Sequence, residues 1–331
     1  MGRKKKIEKQ DDISIAQIIT SKFGRSVQTT LDKLDAAYTI PTNVMSIDIS
    51  IGKGVSPGIT EIFGNEAAGK TSLALKIIKN AQDIGIDAFY IDMERGLTAS
   101  LVNTIDGLNK DKLRDSFFRP KHGNEAVDMC ELIIKQSPKS LIVLDSIPAC
   151  ISSAQIEESA NKDFMAPIAR IFSTFLPKIK SLLFEQESCL LLLNQLRDNL
   201  SPYGANDSTP GGRAIKFYAD RRIQLKKSKK IKKSNTIIGN YVKVQCVKNK
   251  FATPYQSCEV PFIYGMGFSR ELDLAMLAIQ CGILKKAGAW FNYKEWKWQG
   301  EVGLAEGLVE NKEAFNLLRK EVVELLNYED N

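Results

Sequence analysis

The stretch ITEIFGNEAAGKTSLALKIIKNA, residues 59–81, decides the fold. Its first five residues read as a largely apolar strand, and from Ser72 onward apolar residues return at helical spacing. Between them GNEAAGKT, 64–71, matches G-x-x-x-x-G-K-[ST], a loop that turns a strand directly into a helix. Glycines there let backbone N–H groups turn inward at a helix N-terminus, where the helix dipole also favours an anion. The spacing predicts a phosphate cradle made by Gly64, Asn65, Glu66, Ala67, Ala68, Gly69, Lys70, Thr71 and Ser72. Within it Lys70 reaches terminal phosphates, and Thr71 offers its hydroxyl to Mg²⁺.

Outward from this loop the pattern alternates. Apolar strands recur at AFYID (88–92), LIVLD (141–145) and CLLLLN (189–194), separated by helical stretches at about 71–84, 124–136 and 168–187. Continuous apolar strands alternating with helices predict an α/β domain, a mainly parallel twisted sheet covered on both faces. Beyond Arg221, RIQLKK, NYVKVQCVKNK and CEVPFIYG read as consecutive antiparallel strands. From about Arg270 the texture changes to a helix, an aromatic turn AGAWFNYKEWKW and a last helix, a small α+β C-terminal domain. At the other end DISIAQIITSK, 12–22, reads as a short amphipathic helix led by Asp12 and stopped near Gly24. The expected division is an N-terminal helix and linker over 1–38, a nucleotide-binding core over 39–269 and the C-terminal domain over 270–331.

Each strand end then acquires a candidate role. LIVLD delivers Asp145 to the C-terminal edge of a parallel strand, where ligands of such sheets sit and a carboxylate can hold Mg²⁺; the plainer alternative is a carboxylate capping the next turn. The residue after it is Ser146, so a base that activates water has to come from elsewhere, and Glu94 just beyond AFYID is the candidate. CLLLLNQLR ends in two amides, Asn194 and Gln195, that can feel a γ-phosphate or simply cap the strand. The loop after them, DNLSPYGANDSTPGG, is too long for a mere connection and reads as functional.

Composition narrows the classes. The chain has 331 residues, 44% of them hydrophobic, without the ~18 continuous apolar residues of a membrane helix or the apolar region of a signal peptide, so a soluble cytoplasmic protein is expected. Six scattered cysteines without a C-x-x-C pair, and His122 as the one histidine, argue against zinc and against a disulfide framework. Charge is concentrated: Arg213–Lys250 holds thirteen Lys or Arg against one acid, Asp220, a surplus of +12 in a chain of net +7, so the remainder totals −5. One basic segment on a mildly acidic protein suits a phosphate backbone, although KKSKKIKK (226–233) also reads as a solvated hairpin tip.

Together GNEAAGKT, YIDMERGL, LIVLDSIPA, NQLR, GGRAIKFYA, VKNKFATPY and KAGAWF resemble the bacterial RecA recombinase family, in order from about Ile40 to the last helix. The resemblance implies a RecA-type P-loop ATPase core and a filament that polymerises on single-stranded DNA, hydrolyses ATP with Mg²⁺ at subunit interfaces and exchanges strands with double-stranded DNA. It implies that Glu94 orients the attacking water, Asp145 serves the metal, Gln195 senses the γ-phosphate and Tyr264, with Gly265, lies by the adenine. Lys248 and Lys250 would reach the neighbouring subunit's ATP, where residues alone suggest exposed strand lysines. DNA would be held by a first loop, about Glu157–Met165 leading into Arg170, and a second, Arg197–Gly212. In these, Met165 or Leu200 would wedge between bases, Gly211 and Gly212 would let the backbone approach a phosphate, and Arg170, Arg197 and Arg213 would add charge. Lys226, Lys227 and Lys243 match a second site for incoming duplex, and Lys286, Trp290 and Tyr293 match either duplex capture or a small aromatic core.

Departures from the family pattern carry their own expectations. Pro177 replaces a basic residue and should kink its helix. Thr98 and Leu101 stand where the family has an acid and an aromatic near the adenine, and Gln245 replaces a basic residue of the second DNA site. The chain ends at NYEDN without a long acidic tail, which predicts weaker inhibition by Mg²⁺. The alternatives are a hexameric helicase-type motor, which a long N-terminal collar would favour, and a regulatory ATPase acting through a protein partner, which the +12 segment opposes. Single-strand-binding or loader proteins are the expected helpers.

Overall fold

The structure is a computed structural model that describes residues 14–24, 38–153, 165–196, 209–233 and 235–328. Arg197, Leu200, most of both expected DNA loops, Asp12, the Met165 side chain and the last three residues lie outside the described set. The chain forms two compact units, Met1–Ala37 and Tyr38–Asn331.

The first unit contributes helix α1, Ile15–Phe23. Ser14, not Asp12, is its cap: the Ser14 hydroxyl accepts from Gln17 N–H and the Gln17 side chain accepts from Ser14 N–H, a reciprocal capping box that fixes the start two residues beyond the expected one.

The second unit opens with α2 (Met45–Ile51) and β1 (Gly58–Gly64), then α3 (Lys70–Asp83), β2 (Ala88–Asp92), α4 (Ala99–Asn103), α5 (Lys110–Asp115) and β3 (Phe117–Phe118). Next come α6 (Gly123–Gln136), β4 (Leu141–Asp145), α7 (Met165–Glu185), β5 (Cys189–Gln195), α8 (Gly212–Tyr218), β6 (Arg221–Lys233), β7 (Thr236–Asn249), β8 (Ser257–Ile263) and β9 (Gly267–Phe268). All nine strands share one sheet, in the order β3-β2-β4-β5-β1-β6-β7-β8-β9. It is parallel from β3 to β6 and antiparallel from β6 to β9.

Both faces are buried, which is why the central strands read as unbroken apolar runs. Leu191, Leu193, Leu141 and Val143 face α2 and α3, whereas Leu190, Leu192, Ile142 and Leu144 face α6, α7 and α8. Each such side chain contributes about 2 kcal/mol of burial. Helix α7 runs unbroken through Pro177, whose neighbours Leu176 and Ile179 are fully buried; tertiary packing holds the turn that proline leaves one hydrogen bond short.

The C-terminal segment has α9 (Arg270–Gln280), an antiparallel three-stranded sheet β10 (Lys285–Ala287), β11 (Trp290–Tyr293) and β12 (Trp296–Gln299), then α10 (Gly300–Glu310) and α11 (Lys312–Leu326). It has its own hydrophobic cluster, including Leu272, Phe291, Tyr293, Leu304 and Leu318. Polar links tie it to the large sheet's side of the unit: Ser46 N–H donates to Asp273 Oδ2 (3.0 Å), the Tyr241 hydroxyl to Glu301 Oε2 (2.7 Å) and Lys233 Nζ to Glu306 Oε1 (3.1 Å). Among the described residues no helix is long and apolar enough to cross a membrane.

Candidate active site

The predicted cradle lies where β1 ends and α3 begins. Gly64 is glycine because a Cβ there would stand 2.1 Å from the Leu225 carbonyl oxygen of β6. Gly69 combines φ +88° with the rings of Phe262 and Phe268 at 2.9 and 3.0 Å from where a Cβ would be. Lys70 folds back over the loop and donates to the carbonyls of Gly64 (3.1 Å) and Asn65 (2.8 Å). Burial lowers its pKa, against the pull of Asp145, Glu94 and Glu66. Asn65, Glu66 and Ala67 are exposed, while Ala68 and Ser72 are buried beneath the loop.

Four neighbouring strand ends converge on the same point. Thr71 Oγ1 donates to Asp145 Oδ2 (2.9 Å), and the Tyr90 hydroxyl donates to the same oxygen (2.5 Å). Burial raises the Asp145 carboxyl above its ordinary pKa despite these two bonds. The Asp145 carbonyl accepts from Met93 and Glu94 N–H, fastening the end of β2 to that of β4 and setting where Glu94 points. The Glu94 carboxylate then accepts from Ser146 Oγ (2.7 Å) and from Gln195 Nε2 (3.4 and 3.5 Å). Lys70, Thr71, Glu94, Asp145 and Gln195, chosen from separate stretches of sequence, thus form one cluster.

Asn194 does not join it. Side chains alternate along β5, so Asn194 turns to the opposite face from Gln195 and is fully buried, donating to Glu61 Oε1 (2.8 Å) and to the Pro210 carbonyl (3.0 Å). It pins the end of the second expected DNA loop to the strand that carries Gln195. Sequence reasoning also passed over Tyr90 and Ser146; the signal for Tyr90 was its place two residues before Asp92, on the same face of a strand.

Tyr264 is half exposed, accepts from Asn240 Nδ2 (2.5 Å) and meets Phe262 edge-on at 6.5 Å. One ring therefore separates it from Gly69. Gly265 follows with φ +79° in the turn to β9. Thr98 caps α4 through Leu101 N–H (3.2 Å), and Leu101 packs on the core.

Lys248 and Lys250 lie elsewhere in their own chain. Lys248 Nζ donates to the carbonyls of Lys216 (2.9 Å) and Phe217 (2.8 Å) in the last turn of α8, and Lys250 pairs with Asp220 (3.2 Å). Asp220 N–H bonds Ile59 and Lys250 N–H bonds Asp220, so Lys250 is level with Ile59. That is five residues back from Gly64, roughly 17 Å at the rise of a strand. Lys250 cannot span that gap, and Lys248, level with Glu61, turns its ammonium to the end of α8 instead of to its own chain's loop.

The basic groups divide likewise. Arg170 on α7 and Arg213 on α8 are exposed. Gly211 and Gly212 have φ +92° and +73°, and a Cβ on Gly212 would stand 3.0 Å from that of Ala169 on α7, so α8 starts against α7. Lys226 and Lys243 are direct cross-strand partners on β6 and β7, with Glu259 opposite Lys243 on β8, and Lys227 is exposed beside them. Since Gly64 pairs with Leu225, this lysine group lies at the cradle's end of the sheet. Tyr293 is buried and stacks on Trp296, so it belongs to the small core; Trp290 is partly exposed, with Lys297 4.5 Å from its ring centre.

Known proteins bear on this arrangement. The profile of the RecA N-terminal domain matches residues 10–269. Protein RecA of Caldanaerobacter subterraneus subsp. tengcongensis is 35% identical over 329 residues, covering 97% of this chain and 95% of the relative. That of Ureaplasma parvum serovar 3 is 34% identical over 335 residues, covering 99% and 98%, and that of Saccharopolyspora erythraea is 33% identical over 321, covering 95% and 92%. With the strand order, the cradle and its converging carboxylates in place, these similarities give the conclusion that the chain belongs to the RecA family of ATP-dependent, DNA-binding recombinases.

Proposed function

We propose that each subunit binds ATP with Mg²⁺ at Gly64–Ser72 and that a neighbouring subunit's Lys248 and Lys250 complete the site. The single observation behind this is the convergence of Thr71, Asp145, Glu94 and Gln195 on the cradle while both lysines are bound away from it, to the end of α8 and to Asp220. The residues fit the metal: a hydroxyl and a carboxylate oxygen 2.9 Å apart are hard oxygen donors of the kind Mg²⁺ takes. Bound Mg²⁺ would neutralise charge developing on the phosphates. Lys70, which donates to two backbone carbonyls, exchanges these for phosphate oxygens at little cost. Glu94 orients water from a position fixed by Ser146, and Gln195 links Glu94 to the strand that Asn194 fastens to Pro210.

In this reading residues 1–38 serve polymerisation, 39–269 catalysis and DNA binding, and 270–331 duplex capture. Arg170, Gly211, Gly212 and Arg213 flank the single strand, joined by Met165, Arg197 and Leu200 from the two loops. Lys226, Lys227 and Lys243 receive the duplex. Single-strand-binding and loader proteins act as helpers, and the site of action is the cytoplasm, where ATP and DNA meet. The test is ATP turnover with and without single-stranded DNA, followed by strand exchange, in the parent and in Lys70→Ala. Turnover that rises with DNA in the parent and vanishes in the variant is expected; turnover indifferent to DNA would sink the reading.

A further inference from the structure

Asp220 is a buried hub at the edge of the sheet remote from the cradle. Its Oδ2 accepts from Ile59 N–H (2.9 Å) and contacts Lys180 Nζ, and its Oδ1 pairs with Lys250 Nζ (3.2 Å). The carboxylate is wedged in place, since a Cβ on Gly58 would stand 2.6 Å from Oδ2. Lys180 belongs to α7 and also donates to the Tyr218 carbonyl at the end of α8 (3.2 Å). Lys248, two residues from Lys250, is bound to carbonyls of the same helix end. Three ammonium groups are gathered around one carboxylate and one helix C-terminus, where the dipole favours cations. Helices α7 and α8 each run from this hub toward the opposite edge, where α7 begins at Met165 and α8 at Gly212.

We propose that Asp220 is a clasp: in the unassembled subunit it holds Lys250, and through the shared helix end Lys248, against α7 and α8, and it releases them when they engage the neighbour's triphosphate. The proposal rests on the reading of Lys248 and Lys250 as groups acting across the interface. A triphosphate offers more negative charge than one carboxylate already shared with Lys180, so the exchange runs toward the neighbour once nucleotide is bound there. Release frees the end of α8 from Lys248 and leaves Asp220 to Lys180 of α7 alone. Asp220 is thus a positioning residue that sets the threshold for assembly.

The test uses the full chain and reads ATP turnover without DNA, alongside thermal melting. Asp220→Asn keeps an acceptor for Ile59 N–H but loses the ion pairs, and it should raise DNA-independent turnover about fivefold, the scale of one ion pair. Lys180→Met removes the competitor for Asp220, tightens the hold on Lys250 and should lower that turnover by about twofold. A merely structural Asp220 would make both variants lose activity. Turnover in Asp220→Asn at or below the parent's, with normal melting, overturns the clasp; should that variant not fold, unchanged or raised turnover in Lys180→Met overturns it. Lys250→Ala separates the two layers: if it abolishes DNA-stimulated turnover while Asp220→Asn changes nothing, the clasp fails and the reading across the interface stands. If Lys250→Ala leaves stimulated turnover intact, that reading fails, and the clasp with it.

Discussion

Two buried aspartates stand at opposite ends of the parallel sheet, and they are satisfied in opposite ways. Asp145 takes its bonds from two neutral hydroxyls, Tyr90 and Thr71, so its charge remains available to a cation. Asp220 faces Lys180 and Lys250, so its charge is already neutralised. The same residue type at two strand edges therefore does two jobs, and what differs is the charge of its partners. In the function proposed above, one end takes the metal and the nucleotide, the other holds the cations that would complete that chemistry, and a second copy of the chain would bring the two ends together.

The largest expected effect tests that division directly. Lys248→Ala with Lys250→Ala should lower DNA-stimulated ATP turnover about 10³-fold, the scale of an arginine finger, while nucleotide binding to the isolated subunit stays unchanged. Turnover kinetics beside equilibrium binding of a fluorescent nucleotide check this. A matching loss of binding by the isolated subunit would place the lysines in their own chain's site and end the comparison.

The two ends were also unequally legible in the sequence. The Asp145 end is built from local patterns: a glycine-spaced loop, apolar strands of five to seven residues and polar groups at their C-terminal tips. Strand alternation even sorts Gln195 from Asn194 once β5 is recognised, although both amides looked alike as a pair. The Asp220 end depends on contacts between residues far apart in the chain, Ile59 with Asp220 and Lys180 with Asp220, that no periodicity reveals. There the sequence showed only the basic run in which Asp220 stands as the lone acid. Strand β3 escaped for a different reason, since two residues are too few to carry a period. Helices α2 and α8, seven residues each, are too short for an apolar stripe to stand out, and packing on the sheet rather than propensity holds them.

A second, smaller effect sharpens the Asp145 end. The Glu94 carboxylate bonds Ser146 and Gln195 but neither the Thr71 hydroxyl nor the Asp145 carboxylate, so Glu94→Gln should slow turnover about 10²-fold and preserve nucleotide affinity. Single-turnover kinetics separate the two quantities. Unchanged turnover would move the water-orienting role to another side chain and leave Glu94 as a link between β2 and Gln195.

The smallest expected effect concerns stability, and it asks whether the Asp145 charge is truly uncompensated. Burial raises its carboxyl pKa above the usual 3.8, so folding favours its protonated form. The stability it contributes is fully present below that ordinary value and is lost as pH rises through the raised one. Without metal, Asp145→Asn should therefore melt about 2–4 °C above the parent at pH 8, with the gap closing as the pH falls toward the ordinary value of 3.8. Adding ATP with Mg²⁺ at pH 8 should reverse the order, because ligand binding stabilises the parent and the variant has lost a metal oxygen. Thermal melts at the two pH values, with and without nucleotide, measure both statements. A variant that melts below the parent at pH 8 without metal would mean that Tyr90 and Thr71 already satisfy the carboxylate as fully as the two lysines satisfy Asp220, and the contrast between the two ends would dissolve.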